Sequence, residues 1–461
     1  MNTTCLKFVC GLSVIISLIS CKQDDNGGDY IPINIIAVAD SGEVFQNTTI
    51  DIAIFANDSN VPSSGQLSVE NPQSGSIAII NNGTASLLDD VLRYTPDATF
   101  TGEVSFQYTV CDSVGESCAT GTVSITVLPF SPVVFDLSQV PYEKLSDYNF
   151  FNGSLSDQQP VYGVLPYEPI TPLFTDYAHK KRFVWMPYGA KAEYVGDGDL
   201  INFPESGVLI KSFYYENVQP GNTTKIIETR LLYKKDGGWS FADYIWNEDQ
   251  SEALLDTTGD GGFVPIEWIE NGETKTVNYR IPASSECFTC HKRFGETAPI
   301  GVKPQNLNSI YNFEDGAVNQ LSKWIEMGYL ESNVPTDIVT VAKWDDPTAS
   351  LNDRARSYLD INCASCHSDS GHCDYRSLRF EFSLTENTDN LGICIDPDTP
   401  VPGYEGDKII TPGEPENSVL FFRFSTNEEQ YRMPLLGRTI QHEEGVALIE
   451  EWINSLTQTC N

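Results

Sequence analysis

Two short stretches of this chain repeat one arrangement of reactive side chains: Cys287-Phe288-Thr289-Cys290-His291 and Cys363-Ala364-Ser365-Cys366-His367. Two thiols separated by two residues can each add to one vinyl group of a haem, and a histidine directly after the second thiol falls under the iron as its proximal ligand. A Cys-x-x-Cys pair alone also serves as a redox couple or as half of a zinc site. Neither of those uses calls for a histidine directly after both pairs. The spacing therefore predicts two covalent haem c groups. One is on Cys287 and Cys290 with His291 on the iron, the other on Cys363 and Cys366 with His367 on the iron.

The elements around the second motif are well defined. Residues 351–361 carry helical periodicity and end just before Cys363, and "EEGVALIEEWINSL" carries it again near the C-terminus. Between them lies "YRMPLLG", with Met433 66 residues beyond His367. This order resembles a monohaem class I cytochrome c domain: a first helix, the attachment motif, a loop bearing an axial methionine, and a last helix crossing the first. "KIITPGEPENS" also resembles the segment before the methionine in many such domains. The resemblance implies Met433 as the sixth ligand of the second haem, a choice that raises its potential. The first motif has no such setting. A strand and a proline-containing loop, "NYRIPASSE", lead into it, and no Met-Pro follows before the second domain. Its sixth ligand is left open among Met186, Met327, His179 and His442, or none. His372 reads as a surface-loop residue.

A chain of 461 residues is too long for one hydrophobic core and predicts two to four domains. The net charge is −36, from 64 acidic and 28 basic residues. That argues against a nucleic-acid partner, because phosphate backbones attract basic surfaces. It suits a well-solvated surface and can steer a basic redox partner. Residues 33–128 read as an all-β sandwich, with alternating runs at 50–55, 76–80, 104–110 and 121–127 between turn-rich stretches. The stretch "YTPDATFTGEVSFQYTVCDSVGESCATGTVSITV" resembles the bacterial immunoglobulin-like or cadherin-like modules of surface proteins. After a proline-flanked linker at 128–132, residues 133–285 form a β-rich, aromatic-dense domain. The first attachment region is expected over 286–345, with a helix at 315–330. An α-helical cytochrome c-like domain is expected over 346–461. The predicted fold class is thus multidomain: an N-terminal immunoglobulin-like sandwich, a central β-rich domain and a C-terminal α-helical domain.

The N-terminus carries Lys7 and an apolar run over 8–19, too short for a mature membrane span. Leu18-Ile19-Ser20-Cys21 resembles a bacterial lipobox, which implies a signal peptide over 1–20, lipid on Cys21 and a tether over 21–32. The acidic "KQDDNGG" after it also resembles a signal that sends lipoproteins to the cell surface, so the outer membrane is expected, on either face. Of twelve cysteines, two lie in the signal, one takes lipid and four take haem. In an export compartment disulfides persist. Cys111 and Cys118 sit at the ends of one hairpin loop and are expected to pair. Cys373 and Cys394 are expected to pair likewise, which leaves Cys460 odd.

The segments "YEKLSDYNFFNG", "GVLPYEPITPLFTDYAHKKRFVWMPYGA", "IETRLLYKKDGGWSFADYIWNEDQSEA", "IPASSECFTCH", "RARSYLDINCASCH", "LGICIDP" and "RMPLLGRT" together resemble an uncharacterised family of exported dihaem c-type cytochromes, over roughly residues 140–456. The resemblance implies the same haem cysteines and proximal histidines, and Met433 distal on the second haem. It supplies no substrate. The expected function is a lipid-anchored dihaem cytochrome carrying electrons between exported redox partners. One alternative is a haem oxidoreductase, peroxidase- or substrate-oxidase-like, with the first haem catalytic and the second its relay. Another is a surface adhesion or docking protein.

Overall fold

The computed structural model describes residues 30–460. The signal segment and Cys21 lie outside the described residues. The chain divides into two compact units, Met1–Phe130 and Ser131–Asn461, and the break falls in the proline-flanked linker. Residues expected to form a central domain, a first attachment region and a C-terminal domain all lie within the second unit.

The first unit is a sandwich of two sheets. One orders its strands Asp40–Phe45, Cys118–Leu128, Gly102–Asp112 and Gly65–Val69; the other pairs Val91–Thr95 with Ile50–Ile52 and Ser76–Ile80. The long strand Gly102–Asp112 alternates, burying Val104, Phe106, Tyr108 and Val110, with Ser105 and Gln107 exposed and Thr109 half-buried between them. Cys111 and Cys118 face each other across the last hairpin and are disulfide-bonded.

The second unit is built on one antiparallel sheet. Its central path runs His179–Trp185, Val208–Val218, Thr223–Lys235 and Gly238–Trp246, and the hairpin Gly262–Glu270 with Glu273–Ile281 joins it at Val218. Both faces of this sheet are covered, so its central strands read as near-continuous apolar runs rather than an alternation. One face buries Phe183, Ile210, Leu231 and Tyr244 against Leu145, Tyr148 and Phe150 of the preceding segment. The other buries Val184, Leu209 and Leu232 against Trp324, Tyr329 and Leu330. That second face also carries the attachment motifs.

Beyond Cys287 the helices are few and short. Asn319 caps Gln320–Glu326, and its side chain accepts from the amides of Leu321 and Ser322. The expected 315–330 helix is cut to this length because Ile310–Phe313 and Gly316–Asn319 form a hairpin ahead of it. Ser350 caps Leu351–Cys363, accepting from the Asp353 amide at 3.0 Å. Glu443–Ser455 packs Leu448, Ile449, Trp452 and Ile453 on the buried face of that helix, and Trp452 Nε1 donates to Asn352 Oδ1 at 3.1 Å. Long loops and the short Val419–Ser425 helix fill the rest. No helix among the described residues is long and apolar enough to cross a membrane.

The expected Cys373–Cys394 bridge is not formed. Cys394 pairs instead with Cys460, whose Cα lies 5.2 Å away, because the chain leaving the last helix returns to the Cys394 loop. Cys373 is a buried free thiol whose amide donates to the Cys366 carbonyl at 2.9 Å. A bridge over a separation of 66 residues restricts the unfolded chain strongly. Cys460→Ser is expected to destabilise the second unit by about 2–4 kcal/mol and leave the first unit's transition unmoved, which two-phase denaturant unfolding of wild type and variant will measure.

Candidate haem-attachment sites

The first motif hangs from the sheet. Strand Glu273–Ile281 runs through Pro282 into a short turn, where the Ala283 amide donates to Glu286 Oε2 at 2.9 Å and Arg280 holds Glu286 Oε1 at 2.6 Å. That clamp starts a single helical turn, Cys287–Cys290, and the His291 amide donates back to the Cys287 carbonyl at 2.9 Å. One turn puts both thiols and the imidazole on one side. Nδ1 of His291 sits 2.9 Å from the Ala298 carbonyl, whose own residue donates its amide to the His291 carbonyl at 3.1 Å. This contact fixes the ring with its proton on Nδ1 and leaves the lone pair of Nε2 free, the arrangement metal-ligating histidines use. The edge of Phe241 packs on the ring at 5.2 Å.

The second motif follows a helix. Leu351–Cys363 ends on the first thiol, and the amides of Cys366 and His367 both turn back to the Cys363 carbonyl, at 3.2 and 3.0 Å. His367 packs edge-on to Phe380 at 5.2 Å. Its Nδ1 is buried without a hydrogen-bond partner, a difference from His291. Burial pushes both imidazoles down to about 4, so each is neutral and able to ligate at neutral pH.

Two cavities adjoin the motifs. The first, beside the first motif and of about 490 Å³, is bordered by Cys287, Cys290 and His291, with Phe213, Trp239 and Phe241 in its wall. The second, beside the second motif and of about 360 Å³, is bordered by Cys363, Cys366, His367 and Met433, with Phe380 and Phe424 in its wall. Both volumes fall within the ~300–1,000 Å³ of cofactor pockets. Cys290 and Cys366 border both, and their sulfurs lie 3.9 Å apart. All four motif thiols are free, whereas Cys111, Cys118, Cys394 and Cys460 are bridged. Among the described residues no three His, Cys, Asp or Glu side chains converge as an ion-holding group. Two free thiols and a neutral imidazole beside each cavity are a donor set that fits thioether attachment of a haem.

The loop of Met433 is shaped by Arg438. Its buried guanidinium donates to the carbonyls of Met433 at 3.1 Å, Phe424 at 3.1 Å and Thr426 at 2.9 Å. Asp176, beside the sheet, accepts from the Thr439 amide at 2.6 Å and from the Ile440 amide at 3.1 Å. The methionine loop is thereby tied to the β-region.

Of the four residues considered as sixth ligand of the first iron, only His442 borders the first cavity. Met186 is buried in the core around Trp324, and Met327 packs against the same core. His179 lies over Tyr214 at 5.3 Å, beside a separate cleft. His442 is engaged on both nitrogens: Nδ1 meets the Tyr358 hydroxyl at 2.7 Å and Nε2 lies 3.5 Å from Glu444. Lys211 and Arg230 also border the first cavity, and the sequence reading passed over both. Their signal was a charged residue at inward positions of otherwise apolar strands, "VLIKSFYY" and "IIETRLLY".

A family model described as a bacterial Ig domain matches residues 31–126, and no match to a cytochrome c family is found. Among curated proteins none matches. Solved structures with some likeness include a 2,6-sialyltransferase from Photobacterium sp. JT-ISH-224, 12% identical over 20% of this chain and 18% of that one, TM-score 0.16. An endo-fucoidan hydrolase of glycoside hydrolase family 107 is 10% identical over 56% of this chain and 29% of that one, TM-score 0.19. A quinonprotein alcohol dehydrogenase-like protein from Bacteroides thetaiotaomicron is 8% identical over 52% of this chain and 79% of that one, TM-score 0.12. The chain thus spans less than a third of the first two structures, and none of the three likenesses carries an argument about fold or activity.

Burial also pushes His442 down to about 4. As pH falls from 6.5 toward 4 the unfolded chain binds a proton that this buried ring refuses, so stability is lost on the acid side and is constant above about 6.5. Between pH 7 and pH 5, His442→Gln is expected to lose up to about 2 kcal/mol less stability than wild type. Urea unfolding of both proteins at the two pH values checks this, and equal losses would refute it.

Proposed function

We propose that this protein is an exported dihaem c-type cytochrome that relays single electrons between redox partners. The observation that carries the reading is the meeting of the two Cys-x-x-Cys-His motifs, with Cys290 and Cys366 sulfur to sulfur at 3.9 Å between adjoining cavities. Haem attached there supplies a reversible one-electron couple, its potential set by axial ligand, burial and hydrogen bonding. The chain's residues do the rest. Cys287, Cys290, Cys363 and Cys366 would fix the two groups, and His291 and His367 would supply neutral imidazole nitrogens to the irons. Met433, which borders the cavity of His367, would supply a thioether to the second. The Phe380, Phe424, Phe213 and Phe241 rings exclude water and so keep the reorganisation around a changing charge small.

The Leu351–Cys363 and Glu443–Ser455 helices, with the second cavity beside them and Met433 on a loop into it, support reading residues 346–461 as a class I cytochrome c-like domain. Lipid on Cys21 would anchor the chain to the outer membrane, on the periplasmic or outer face. The acidic surface would favour basic exported partners. A second reading is favoured by one observation: among the described residues no uncommitted methionine or histidine besides His291 borders the first cavity. On that reading the first centre is an oxidoreductase site with an accessible iron and the second feeds it.

The test is haem counted per chain in the matured protein, followed by carbon monoxide titration of the reduced form. Two haems and no spectral change support the relay. Two haems with one binding carbon monoxide support the oxidoreductase reading, with the first centre open. Fewer than two haems in a maturation-competent host would overturn the dihaem assignment. Met433→Ala is expected to lower one reduction potential and open that iron to carbon monoxide, leaving the other potential in place.

A further inference from the structure

On the sheet face that carries the motifs, Arg182 and Lys211 are directly opposite cross-strand partners, and Lys211 is opposite Arg230 on the next strand. Like charges placed so repel one another, and burial removes the water that would screen them. Arg230 is compensated by a two-point contact with the fully buried Glu228, which also accepts from the Tyr279 hydroxyl. Arg182 and Lys211 are not. Among the described residues neither side chain has a hydrogen bond or an ion pair. The Lys211 ammonium lies only over the Phe213 ring, at 4.8 Å, and Arg182 is 7% exposed. Glu168 acts on Arg182 and Glu228 on Lys211 only across a distance, so two adjacent buried basic side chains with no carboxylate in contact point to an anion supplied from outside the chain.

The surroundings narrow that anion. Lys211 borders the cavity of His291, Cys287 and Cys290, and Arg182, its cross-strand partner, borders the separate cleft of His179. A guanidinium beside an ammonium suits planar carboxylates, the first as a two-point donor and the second as a point charge. We propose that Arg182 and Lys211 form a carboxylate-binding pair, and that the carboxylates they take are the propionates of the haem carried by Cys287 and Cys290. This rests on the dihaem reading. The same pair could instead take a free carboxylate, such as a uronic acid, entering by the cleft that Arg182 borders.

The experiment uses the matured holoprotein with two haems per chain. Arg182→Met and Lys211→Met are compared with wild type by spectroelectrochemical titration of both haems. Losing a positive charge beside the propionates stabilises the oxidised iron. Each variant is therefore expected to lower the same one of the two potentials and leave the other unchanged, with Lys211→Arg restoring it. Two haems retained with both potentials unmoved in both variants overturns the proposal. Galacturonate binding, followed by tryptophan fluorescence, distinguishes the sources. Binding to wild type that both variants abolish while the potentials stay put gives the pair to a free ligand and overturns the propionate assignment. Should a methionine variant fail to mature, Arg182→Gln and Lys211→Gln are read the same way, a lowered potential being expected and no shift refuting the proposal. Wild-type protein with fewer than two haems fails the dihaem reading itself, a result separate from these.

Discussion

The contact between Cys290 and Cys366 constrains the rest of the second unit. These sulfurs belong to segments 76 residues apart, one hung from a sheet and one set at a helix end, yet they meet at 3.9 Å. Two ordered segments cannot be held so closely by the motifs alone. Arg293, just past the first motif, pairs with Glu381, and the amide of Phe294 donates to the Asp369 carbonyl just past the second. Behind the second motif, Lys303 makes a buried ion pair at 2.8 Å with Asp360, which also accepts from the Phe382 amide at 3.1 Å. Breaking one partner of such a pair strands a charge in the interior, so these contacts fix position more than they add stability. These contacts join the sheet and the helical segment in one compact unit and hold the two motifs side by side.

The same constraint accounts for the uneven settings of the two motifs. A helix can deliver a thiol at its C-terminus with its own hydrogen bonds intact, and Leu351–Cys363 does so. A strand cannot, because its side chains alternate and its direction runs along the sheet. The first motif therefore needs a turn of its own, clamped by Glu286, and a hairpin beyond it that brings Ala298 to Nδ1 of His291. That extra scaffolding fixes the His291 ring by hydrogen bonding, where His367 relies on packing against Phe380.

Legibility in the sequence followed the range of the interaction. The two motifs, the helix before Cys363, the strand periods of the immunoglobulin-like unit and the Cys111–Cys118 pair all rest on residues near each other in the chain. Each was readable there. The Cys394–Cys460 bridge was not, because Cys373 is nearer in sequence and nothing local says that the chain end returns. The single body formed by residues 131–461 was hidden for the same reason: Asp176 with Thr439 and Arg293 with Glu381 are contacts between distant segments of unremarkable composition. Met186 looked eligible as a ligand through its Met-Pro context, but only the fold reveals that Trp324 and its neighbours enclose it.

The cations of the sheet face carry the argument one step further. A lysine and an arginine at inward positions break the apolar pattern of strands that otherwise bury both faces, and such a break is costly unless something answers it. Arg230 is answered from within by Glu228, so that position closes as structure. Arg182 and Lys211 have no carboxylate in contact among the described residues, and Glu168 and Glu228 act on them only from a distance. A stability-driven sequence would fill those positions with valine or leucine, as at Val184 and Leu209 one step along the same strands. Their place as cross-strand partners, one in the wall of the first site and one in a separate cleft, is best understood as electrostatic preparation for a negative charge that arrives with a bound group.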